Sequence, residues 1–132
     1  MNTAFGYLYR DGSNCKKCGE VILSGEITKE LEQRFIAALE HEYGLGQFIA
    51  AQVSVPETFL WKGDYEPTTE DHEWHEFGEF VLTDREPTDT RSLEEFVAPF
   101  EAASAAGWNE SLSGLPPYSD LVFCGEAVNC DV

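Results

Sequence analysis

"ITKELEQRFIAALEHEYG" (residues 27–44) decides the fold class. Ile27, Leu31, Phe35, Ala38, Leu39 and Tyr43 recur at helical spacing, so one side of a helix is apolar and must be covered. Thr28 stands where an N-cap would, Glu30 and Arg34 sit one turn apart, and Gly44 suits a left-handed C-terminal position. A second helical pattern begins at Ser92, where Ser92 and Glu95 form a capping box and Leu93, Phe96, Val97 and Phe100 share a face. Pro99 lies too deep for the first turn and is expected to kink or split this helix.

Around these helices the pattern changes to strands. Phe5, Tyr7 and Tyr9 alternate in residues 4–9, and residues 20–24 read as a returning strand after the turn "RDGSN". Residues 47–53 read as a buried strand, and 74–84 as another with Gly78 as a candidate bulge. A last strand is expected at 121–124. Strand, strand, helix, strands, helix, strand implies one α+β domain over residues 1–132, with both helices on one face of a mostly antiparallel sheet. Leu31, Phe35, Leu39, Phe96 and Phe100 are the expected core.

The charge is the unusual property. Among 132 residues, 25 acids face eight Lys and Arg, a net charge of −17. Residues 1–60 hold eight acids and five bases, whereas 61–132 hold 17 acids and three bases. Such a chain lacks the cations that replace counterions on nucleic acid or anionic lipid, so neither is expected as a direct partner. The complement is a basic protein, such as a nucleic-acid-binding protein or a toxin. Host-wide acidity for solubility is the competing explanation. No stretch approaches a membrane span, and the mixed start "MNTAFGYLYRDGSN" does not read as a leader, so a cytoplasmic location is expected.

Two motifs could carry chemistry. "CKKCG" places Cys15 and Cys18 at the spacing of a zinc knuckle, and Cys124 with Cys130, or His72 with His75, could complete a site. Cys124 and Cys130 are spaced more loosely than a knuckle pair, so the expectation is neighbouring thiols without metal and no cofactor. "EDHEWHEF" (residues 70–77) gathers two His and four acids, the ligand types of a metal-dependent enzyme. The His residues are three apart, however, which separates them on a strand, and H-E-x-x-H is absent. P-loop, dinucleotide and serine-elbow motifs are absent too, so a non-enzymatic role is favoured.

The resulting expectation is an acidic protein-binding module: an inhibitor, an immunity protein or a DNA mimic. Its contact residues would be Asp64, Tyr65, Glu66, Glu70, Asp71, Glu73, Trp74 and Glu76. A metal-dependent enzyme built on His72 and His75, or a zinc-stabilised accessory domain, are the alternatives. "YRDGSNCKKCGEV" and "DHEWHEF" together resemble a family of small, uncharacterised bacterial proteins. That resemblance implies a compact bacterial cytosolic domain, assigns no activity, and suggests that the Arg10–Asp11 turn and residues 72–77 share one surface.

Overall fold

The computed structural model describes residues 1–41, 44–60, 66–117 and 121. Strand β1 (Asn2–Arg10) turns through Asp11–Asn14 into β2 (Lys16–Leu23), and helix α1 (Lys29–Ala38) follows. Three two-residue strands come next: β3 (Glu40–His41), β4 (Gly44–Leu45) and β5 (Gln47–Phe48). A 3₁₀ turn (Ala50–Val53), strand β6 (His75–Thr83), helix α2 (Leu93–Ala106) and a 3₁₀ turn (Glu110–Leu112) complete the order. The main sheet runs β2-β1-β6-β5 with every pairing antiparallel, and β3–β4 is a separate hairpin. This is the expected α+β architecture.

Alternation along β1 sorts the layers. Phe5 and Tyr7 point into a core shared with Leu31 and Phe35 of α1 and Phe96 and Phe100 of α2. The Phe5 ring lies within 6.0 Å, centroid to centroid, of Tyr7, Phe35, Phe48, Phe77, Phe80, Phe96 and Phe100. All five side chains expected in the core are buried, Leu31 being the most accessible at 6%. Thr28 caps α1 through Leu31 N–H, and Ser92 with Glu95 closes the capping box of α2. Buried Thr3 donates to Gly25 O and accepts from Ile27 N–H, fastening the entry of α1 to the sheet.

Several boundaries differ from the pattern in the sequence. Helix α1 stops at Ala38 because the Leu39 carbonyl accepts from Gly46 N–H, and Gly44 lies in β4 rather than capping the helix. Arg34 reaches across to Glu94 and Glu101 of α2 instead of along its own helix to Glu30. Residues 47–53 add only the two residues of β5 to the sheet before a 3₁₀ turn, which together bury Phe48 and Val53. Helix α2 runs unbroken past Pro99; the bond Pro99 cannot donate leaves the carbonyl of solvent-exposed Glu95. The bulge prediction holds, since the register skips Gly78 opposite Gly6, and a Cβ there would come 3.0 Å from Gly6 O. Apart from Leu121, the strand expected at 121–124 lies outside the described residues. No helix among the described residues is long and apolar enough to cross a membrane.

Candidate functional site

The chemistry-bearing residues gather where β1 ends and β6 begins. Asp11 closes the turn, its carboxylate accepting from Ser13 and Cys15 N–H, and Asn14 adopts φ 67°. Gly12 N–H then donates to Glu70 O, which docks the turn on the segment before β6. Tyr9 hydroxyl donates to Asp71 Oδ1 at 2.5 Å and accepts from His72 N–H. Arg10 pairs with Glu76 at 2.9 Å and with Asn14. These bonds tie the turn to residues 70–76.

His72 and His75 are structural here. A carbonyl can only accept, so the His72 Nε2–H donates to Arg10 O at 2.6 Å, while Nδ1 accepts from Trp74 N–H. His75 is fully buried among Tyr9, Phe48 and Phe59, and its Nε2 accepts from Thr58 N–H at 2.9 Å. In both rings the accepting nitrogen is committed to a backbone amide, so neither turns a lone pair toward a metal. Among the described residues no group of three or more His, Cys, Asp or Glu is placed to hold an ion.

The cysteines correct one expectation, that Cys15 and Cys18 are both thiols. Strand β2 begins at Lys16, and residues three apart on extended chain face opposite ways. Cys15 is accordingly buried and Cys18 exposed. Cys15 is disulfide-bonded, whereas Cys18 is a free thiol. The pair expected to act as neighbouring thiols is divided between two environments. Cys124 and Cys130 lie outside the described residues.

The expected acidic surface is also rearranged. Asp64 and Tyr65 lie outside the described residues. Glu66 is exposed, and Glu70, Asp71, Glu73 and Glu76 are half-buried. Glu76 is tied to Arg10, and Asp71 accepts from Tyr9 and from Thr68 N–H. Trp74 is buried at 7% exposure, so it anchors the fold from within, its indole N–H donating to Glu110 at 3.3 Å.

Of these residues, Asp71 and Glu73 line a cleft of about 500 Å³. Asp71, Glu73 and Glu110 supply its carboxylates, and Leu115, Pro116, Pro117 and Leu121 supply apolar lining. Burial holds the Glu73 carboxyl above its ordinary range, and the neighbouring Glu110 adds to the shift. No family model, curated protein or solved structure matches the chain. Glu110 had no signal in the sequence: it stands 36 residues from Trp74 and joins the site only through the fold. Tyr9 looked like a core residue, and its hydroxyl role was equally hidden.

Proposed function

We propose that this chain is an acidic protein-binding module that docks on a basic protein. In this proposal a Lys or Arg side chain of the partner enters the cleft at Asp71, Glu73 and Glu110. The observation that carries the proposal is the facing pair Glu73 and Glu110 in a half-buried cleft, where burial and mutual repulsion penalise the second negative charge. A cation between them removes that penalty. The apolar lining suits the methylene stem of Lys or Arg, and the carboxylates suit its charged head.

A net charge of −17 supports the choice of a basic partner, such as a nucleic-acid-binding protein or a toxin that the module would inhibit. Electrostatic steering then makes association fast at low salt, and screening slows it once the Debye length falls to about 8 Å. The test is capture from the native host at low and high salt, by wild type and by the double variant Glu73→Gln, Glu110→Gln. A basic protein retained by wild type, lost in the variant and released by salt is the expected result. No basic partner, or one held equally by the variant with unchanged salt dependence, overturns the proposal.

A further inference from the structure

We infer that the outward edge of β6 is a second docking site, which takes an extended peptide with basic flanks as an added strand. The hydrogen-bond alternation of the sheet identifies the edge. Ile22 turns its amide and carbonyl away from β1, toward Thr88 and Asp89. Its neighbours Val21 and Leu23 must then bond Phe5 and Thr3, which directs Ala4 and Gly6 toward β6. Their partners Val81 and Glu79 face β1, so Phe80 and Leu82 present amide and carbonyl outward. Strand β5 covers β6 only at His75 and Glu76, and Gly46 O takes Phe77 N–H. Among the described residues no strand lies beside Phe80 or Leu82 on the side away from β1.

Such edges are normally blunted by Lys, Pro or covering segments. Here the edge carries Val81 at 48% and Leu82 at 50% exposure. Exposed acids stand at both ends, Glu79 on one side and Asp84 and Glu86 on the other. Arg85 offsets them only in part: its guanidinium is bidentate on Glu20 at 2.6 and 2.8 Å and also feels Asp84. An apolar centre with acidic ends fits a strand whose alternate side chains are apolar and whose flanks are Lys or Arg. A second copy of the chain fits poorly, since it brings the same acids and another −17.

The probe is the peptide acetyl-Lys-Val-Thr-Val-Lys-amide, with a version carrying Glu for both Lys as control. Amide chemical shifts and hydrogen exchange of the full chain report binding. The expected result is saturable binding of the basic peptide, protection of the Phe80 and Leu82 amides, several-fold loss of affinity at high salt, and no binding of the acidic control. Leu82→Pro removes an outward amide while leaving the ladder to β1 intact, and should abolish binding. Leu82→Lys, which keeps the backbone and places a like charge beside the peptide, should weaken it several-fold and serves if the proline variant does not fold. The cleft variant Glu73→Gln, Glu110→Gln should bind the peptide as wild type does, which separates failure here from failure of the cleft. Equal binding of both peptides, shifts confined to the cleft, or a dimer forming through residues 78–84 without peptide would each overturn the inference.

Discussion

Two ends of the same sheet are held by different physics. Toward the helices, Phe5 sits among seven aromatic rings, six of them phenylalanine. Toward the β1–β2 turn, Tyr9 packs on Phe59 and His75 but also holds Asp71 and His72 by its hydroxyl. The first end gains from area removed from water, which has no direction. The second gains from bonds whose partners must be placed to within tenths of an ångström. The acidic cleft grows from the second end, so its shape depends on directional contacts while the protein's stability rests mainly on the first.

Truncating the apolar end should cost most. Phe5→Ala is expected to lose about 3–5 kcal/mol in urea unfolding followed by circular dichroism, because a buried ring leaves a cavity that its neighbours cannot refill. A loss below about 1 kcal/mol would show that the aromatic cluster is not shared as described.

Tyr9→Phe keeps the ring and deletes only the hydroxyl. It should cost about 1–3 kcal/mol, because Asp71 and the His72 amide both lose a partner. Amide shifts at residues 71–74 should move while those of α1 stay. An equal disturbance in α1 would erase the distinction between the two ends.

Smaller and opposite effects should appear with pH. Arg91, donating to the Asp89 carboxylate, lowers its pKa below the ordinary 3.8, so its stabilisation is present above that value and lost as pH falls through the folded-state pKa. Asp89→Asn should therefore be destabilised at neutral pH and show a flatter acid limb. Glu73 is raised above 4.5, so its contribution is present below that value and lost as pH rises through the folded-state pKa. Glu73→Gln should gain stability relative to wild type at pH 7, with the difference vanishing in acid. Stability curves of the two variants that shift in the same direction at pH 7 would contradict the site electrostatics.

The least disruptive test is chemical. A maleimide applied to native protein without reductant should label Cys18 and leave Cys15 unmodified, with little change in unfolding midpoint. Labelling of Cys15 under those conditions would mean that both sulfurs of the motif are available after all.

Much of the apolar end was legible in the sequence. Repeats of 3.6 and 2 residues announce which side chains turn inward, and Leu31, Phe35, Phe96 and Phe100 do so in the fold. Caps were legible as well, since Thr28 and the Ser92–Glu95 box act within a single turn. Helix length was less so, because the bond that ends α1 comes from Gly46, outside its periodic pattern.

At the polar end the sequence by itself determined an inventory: two imidazoles, a row of carboxylates, a spaced cysteine pair and an excess of negative charge. It also determined a strong overall repulsion among like charges, since that depends on count before arrangement. Only the tertiary structure decided which groups were consumed by the fold. Pairing of β1 with β6 brings Tyr9 and Arg10 beside residues 71–76 and ties His72, Asp71 and Glu76 into the fold, while His75 accepts from Thr58 N–H. The chain after α2 brings Glu110 to Glu73 and so forms the cleft. Hydrogen bonds between residues 36 to 66 positions apart leave no periodic trace, because their partners become neighbours only when the strands align.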